Sequence, residues 1–153
     1  MRPGENSDSP EKGGPTDATP LECKGLDHVV LRVRDLGKAI SFYEDVLGLC
    51  VERRIEELGL VQLRAGSSLL DLVAVDSKLG EAGGDAPALD APNMDHFALS
   101  LTHFDEDAIR KHLANHGVRA GETGTRYGAE GYGPSLYLRD VDGNTVELKG
   151  PPE

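Results

Sequence analysis

From Leu26 to Val33 apolar and polar positions alternate, with Val29, Leu31 and Val33 on one side and His28, Val30 and Arg32 on the other. A period of two predicts a half-buried strand whose faces meet different surroundings. Asp35 then stands as an N-cap before Leu36, Ile40, Tyr43, Val46 and Leu47, whose three- and four-residue spacing draws one apolar stripe along a helix that Gly48 stops. Leu49 to Ile55, Leu58 to Ala65 and Ser67 to Val75 alternate again between Gly59 and Gly66, which predicts three antiparallel strands joined by tight turns. The order is strand, helix, three strands.

Asp76 to Asn93 is rich in Gly, Ala, Asp and Pro and reads as a linker. Beyond it the order starts again. Met94-Asp95-His96-Phe97-Ala98-Leu99-Ser100-Leu101 repeats the plan of Leu26 to Val33. Asp105 or a neighbour caps a helix carrying Ala108, Ile109, His112 and Leu113, Gly117 ends it, and Val118 onward returns to strand. The copies diverge at Tyr127 to Pro134, a glycine-rich stretch that reads as a loop over a site. Pro134 to Leu138 and Thr145 to Lys149 are strands around a hairpin turn at Asp140 to Asn144. The expected division is a disordered tail over residues 1–22, which lacks the apolar residues to offset the entropy of ordering, and a domain over 24–150. Within it, module one spans 25–76, the linker 77–93 and module two 94–150.

A length of 153 residues fits one domain, or two small repeats around one core. The net charge of −11 excludes a nucleic-acid partner, which would need clustered Lys and Arg. No apolar run is long enough for a membrane span and no secretory leader plan is present, so the expected location is cytoplasmic. Cys23 and Cys50 lack metal-type spacing and read as two reduced, partly buried thiols.

Each repeat offers a histidine on its first strand, His28 and His96, and an acid on its last, Asp71 and Glu147. A lone histidine in an apolar strand is usually a satisfied core residue. Two in register, each followed by an inward acid at the module's end, point instead to a divalent cation. Neutral imidazoles with carboxylates suit Ni, Zn, Co, Mn or Fe without choosing among them. His103, His112 and His116 fall around the second helix and read as solvent-facing or capping residues, with the helix C-terminus favouring charge on His116.

The segments L-D-H-V-V-L-R-V-R-D-L, F-Y-E-D-V-L-G-L, M-D-H-F-A-L and S-L-Y-L-R-D-V-D-G-N-T-V-E-L, in this order, resemble the vicinal oxygen chelate superfamily of glyoxalases, bleomycin-resistance proteins, fosfomycin-inactivating transferases and extradiol dioxygenases. The resemblance covers Leu26 to Gly150. It implies an α+β fold of two βαβββ modules, each half of a cup, around one metal that chelates two adjacent oxygens of a substrate. His28, His96 and Glu147 match the ligands shared by metal-bearing members. Asp71 matches the fourth, where glyoxalase I has the longer glutamate. Arg32 matches an arginine that contacts a glutathione carboxylate, against the alternative of a structural salt bridge, while Val75 replaces a glyoxalase I asparagine. Ser135 and Tyr137 match a serine and a tyrosine of the fosfomycin branch, whose basic loop residue is here Arg126, and Tyr127 lies in the glycine-rich stretch.

The resemblance thus implies a divalent-metal-dependent lyase or isomerase of the glyoxalase class. The metal would act as a Lewis acid and Glu147, with Asp71, as the catalytic carboxylate. Arg32, Ser135, Tyr137 and Tyr127 would bind substrate, with glutathione or another thiol as a candidate co-substrate. The alternatives are a thiol or water transferase, a ring-cleaving dioxygenase and a metal-free binding protein. The exposed edges of each half-cup add the expectation of a homodimer.

Overall fold

The computed structural model describes residues 20–153, so the expected tail over 1–22 lies almost wholly outside the described residues. The first module comprises β1 (His28–Val33), α1 (Leu36–Ser41), β2 (Cys50–Ile55), β3 (Leu60–Ala65) and β4 (Ser68–Ala74). A short helix, α2 (Lys78–Glu81), precedes the second, built of β5 (Phe97–Ser100), α3 (Glu106–Asn115), β6 (Thr123–Gly128), β7 (Gly131–Arg139) and β8 (Thr145–Lys149). Each module forms one four-stranded sheet, in the orders β1-β4-β3-β2 and β5-β8-β7-β6. The first and last strands of each run parallel, and the other neighbours antiparallel. The last strand therefore lies beside the first, and Val30 faces Asp71 across one pair as Ala98 faces Glu147 across the other. This α+β arrangement of two βαβββ modules is the one the family resemblance implies.

Local chemistry explains most boundaries. Asp35 accepts from Lys38 N at 2.9 Å and Asp105 from Ala108 N at 3.0 Å, which satisfies an orphan donor at each helix start. Gly48 takes the left-handed φ of +72° that ends the first helix. That helix widens after Ser41 into a π-turn over Phe42–Val46, and the consecutive aromatics Phe42 and Tyr43 are both buried.

Three expectations change. The glycine-rich stretch is a β-hairpin, because β6 and β7 pair residue by residue from Thr123 opposite Leu136 to Gly128 opposite Gly131. Glycine lacks a side chain there but does not break the ladder. The linker contains α2, whose Ser77 cap accepts from Gly80 N. Cys23 and Cys50 are free and exposed, one before the first strand and one on the sheet edge, rather than partly buried.

One core serves both modules: Leu31, Leu63, Leu70 and Leu72 cluster with Leu113, Leu136, Leu138 and Val146. A polar seam locks the halves. Asp140 Oδ2 accepts from the Tyr43 hydroxyl at 2.7 Å and from Asn144 Nδ2 at 2.8 Å, while its Oδ1 accepts from the backbone amides of Asp142 and Asn144. Asn93 donates to Arg32 O and to Asn144 Oδ1, both at 3.0 Å.

Burial, then the neighbouring Asp140 charge, pushes the Tyr43 phenol well above its ordinary value of 10.0. Above about pH 10 the unfolded chain sheds this proton while the native state keeps it. The resulting stability is full below that pH and falls as pH rises, by up to about 1.4 kcal/mol per unit. Urea unfolding from pH 8.5 to 11 should show this loss, and Tyr43→Phe should flatten its slope by about one proton; an unchanged slope would contradict the assignment.

Candidate metal centre

His96 stands at the entry to β5 and Glu147 on β8, and parallel pairing of these strands sets both on one face. His96 Nε2 and Glu147 Oε2 lie 3.4 Å apart. Glu147 is 7% exposed, so its carboxylate sits at the floor of this face. His96 Nδ1 donates to Asp95 Oδ1, and His28 Nδ1 donates to Asp27 Oδ1 at 2.7 Å. A carboxylate only accepts, so each bond places the ring proton on Nδ1 and the lone pair of the neutral imidazole on Nε2. Sequence reasoning assigned no role to Asp27 or Asp95, although the repeated Asp-His pair was the available signal.

In the first module, Asp71 is 4% exposed and accepts from Gln62 Nε2 through both oxygens, at 3.2 and 3.1 Å. Gln62 lies directly across from Asp71 on β3 and holds this shorter acid in place. It too was missed, since a glutamine in an alternating strand carries no distinguishing signal. The His28 imidazole is held above its ordinary range by its bond to Asp27 and then by the nearby Asp71 charge.

The geometry of the second module fits half of a metal site. Two ligands about 2.1 Å from one ion stand roughly 3.0–3.4 Å from each other in octahedral or tetrahedral arrangements, and the His96–Glu147 separation falls at that bite. Among the described residues, no three His, Cys, Asp or Glu side chains lie close enough to hold one ion. His96 and Glu147 thus form one close pair, Asp71 lies on the strand beside that of His28, and the four do not form one quartet among the described residues.

The other candidates divide. Ser135 is fully buried and accepts from Arg126 Nη1 at 2.6 Å. Tyr137 packs edge-on to His96 with ring centroids 5.5 Å apart, and the Arg126 guanidinium lies 4.5 Å from the Tyr137 centroid. These three share the face of Glu147. Tyr127 does not, because the strand pleat turns it to the side opposite Arg126, where it is 57% exposed and packs against Tyr132. Arg32 is also committed elsewhere. Its guanidinium donates to the carbonyls of Gly83, Gly84 and Asp85, fastening the linker to β1. The structural salt bridge expected as the alternative is not made by Arg32 among the described residues.

His112 Nε2 donates to Val46 O at 2.7 Å and joins α3 to the first helix, and His116 Nδ1 bonds His112 O at 2.9 Å. Both side chains are exposed, and His116 is the C-cap of α3, as the sequence reading expects. A concavity of about 650 Å³ is lined by Phe42, Val118, Leu138 and Thr145 among others and includes none of the four candidate ligands.

The chain belongs to the Glyoxalase/Bleomycin resistance protein/Dioxygenase superfamily, whose pattern matches residues 25–148. It is 32% identical over 131 residues to the glyoxalase domain-containing protein RDO1 of Mycosarcoma maydis, covering 84% of this chain and 69% of that protein. Among solved structures it is similar to an integron cassette protein from the mobile metagenome of V. Cholerae, with 28% identity, a TM-score of 0.65, and 85% and 97% of the two chains covered. Lactoylglutathione lyase from Agrobacterium tumefaciens shares the fold at 21% identity and a TM-score of 0.58, with 84% and 94% covered. No helix among the described residues is long and apolar enough to cross a membrane.

Proposed function

We propose that this protein is a divalent-metal-dependent lyase or isomerase of the glyoxalase class, acting on a small substrate with two adjacent oxygens. The observation that carries this reading is the 3.4 Å bite between His96 Nε2 and the buried Glu147 carboxylate, with each module's histidine oriented by its preceding aspartate. His28, His96 and Glu147 would hold the ion, with Asp71, gripped by Gln62, as a weaker fourth ligand. The bound ion would supply Lewis-acid stabilisation of negative charge on the substrate oxygens. Glu147 would move the substrate proton, since its buried carboxylate stands beside His96 at the proposed metal end. Tyr137 walls the His96 ring, and Ser135 with Arg126 lines the neighbouring surface.

The candidates of the two modules come together through a second copy of the chain, the first module of one protomer facing the second module of its partner. Leu26 and Val30, 81% and 45% exposed beside His28, supply apolar surface for that contact. Mixing His28→Ala with His96→Ala subunits tests both statements. If each site is shared, a mixed dimer holds one intact site, and statistical mixing restores about a quarter of the parent's metal content and activity. If each site is built within one chain, every site carries a lesion and nothing returns. A parent protein that binds none of Ni, Zn, Co, Mn or Fe would sink the metal reading itself.

A further inference from the structure

We propose that Gln62 contacts the substrate and sets its specificity: Asp71 holds the Gln62 amide by its nitrogen, so that Oε1 stands as a fixed acceptor for a hydroxyl or N–H donor that the substrate carries next to its paired oxygens. The inference deepens the proposed function and rests on it for the identity of the metal end. The repeat locates the residue. In the second module Glu147 has Ala98 on one side and Tyr137 on the other, and in the first module Asp71 has Val30 on one side and Gln62 on the other. Gln62 therefore holds the register position that Tyr137 holds beside the His96–Glu147 pair. Residues directly opposite one another in a sheet share a face, so Gln62 lies with Val30 and Asp71 on the side away from the buried Val61 and Leu63.

Two contacts settle which way the amide is turned. A carboxylate only accepts, so the distances of 3.2 and 3.1 Å to the two Asp71 oxygens put Nε2 toward the acid. The planar amide then carries Oε1 on its other arm. No donor among the described residues reaches that oxygen, and it is not one of the buried polar atoms left without a partner, so it is open to a ligand. The neighbouring cations do not meet it. Arg64, two residues on and on the same face, commits its guanidinium to Glu52 at 2.6 and 2.7 Å and to Ser68 O, while Arg53, opposite Gln62 on β2, is exposed and makes no bond to it. Val30, Leu60 and Leu69 share this face and give the acceptor apolar surroundings. An amide already tethered through its nitrogen to a buried acid loses little freedom when its oxygen is used, and such preorganisation makes a single hydrogen bond discriminating. A substrate hydroxyl gains that bond, whereas a hydrogen or an ether oxygen in its place leaves Oε1 facing a group that cannot donate.

The test uses the zinc-loaded full chain with pyruvate, hydroxypyruvate and 3-methoxypyruvate as probes, 2-oxo acids that present the same paired oxygens and differ in one substituent. Calorimetry should show hydroxypyruvate binding about tenfold more tightly than the other two, the size of one net hydrogen bond. In Gln62→Leu that preference should fall to within about twofold, with zinc content measured alongside. A residue that only steadied Asp71 would weaken all three acids alike and leave their ratio unchanged. In the parent, labelled at its glutamine side chains, hydroxypyruvate should shift the Gln62 amide resonances saturably and pyruvate should not, a readout that needs no substitution. Equal affinities for the three acids in the parent, a preference that survives in Gln62→Leu, or a Gln62 amide indifferent to hydroxypyruvate would overturn the proposal. A chain that takes up no zinc, yet whose Gln62 amide responds to hydroxypyruvate alone, would leave the acceptor standing and refute the metal reading.

Discussion

Glu147→Gln is expected to lower turnover by on the order of 10³-fold, because under the proposed function the substitution would remove the proton-transferring carboxylate and a charged metal ligand together. The panel that reads this includes methylglyoxal with glutathione, fosfomycin with thiols, and small 2-oxo acids. Asp71→Ala should cost less metal affinity than His28→Ala, His96→Ala or Glu147→Gln, because the Gln62 amide already occupies both Asp71 oxygens. Equal metal loss in all four variants, read by elemental analysis after dialysis, would make Asp71 a full ligand. A Glu147→Gln protein with parental turnover would remove this residue from the chemistry.

Asp140→Ala should be the most destabilising single change in the seam, by about 3 kcal/mol or more. Four donors converge on this carboxylate: the Tyr43 hydroxyl, the Asn144 amide side chain, and the backbone amides of Asp142 and Asn144. Tyr43 is fully buried, so truncation strands its hydroxyl and costs the desolvation penalty beyond the lost bonds. Combining Asp140→Ala with Tyr43→Phe should recover part of the loss, since the stranded group goes as well. Denaturant unfolding of the two single variants and the pair measures that coupling, and strict additivity would show that the bond contributes nothing.

The repeat made the strand and helix order legible from residues alone, and the family resemblance supplied the paired-module fold. Alternation at His28 to Val33, the Asp35 and Asp105 caps and the acid-bearing last strands all depend on spacing within a single element. What escaped the sequence depends on which strand comes to lie beside which. Gln62 matters only because β3 sets it across from Asp71, and Arg32 only because the linker folds back to meet it. Tyr127 was misplaced for a related reason: reading Tyr127 to Pro134 as a loop discards the parity that a paired strand enforces, and parity decides which side of the sheet a residue serves. Lys149 follows Glu147 by two and reads as an ordinary charged strand end until the hairpin covers it.

In each module the final strand returns to lie parallel to the opening one, so the chain enters at one end of this strand pair and leaves at the other. A half built this way hands the chain onward past its own sheet, and its twin can follow through a connection without rethreading either copy. A circular permutant opened within the 77–93 connection and closed by a flexible bridge between the present ends would exchange which half is made first while preserving every strand neighbour. The polypeptide is thus a pair of like parts, each with the same strand order and the same Asp-His leading into its opening strand.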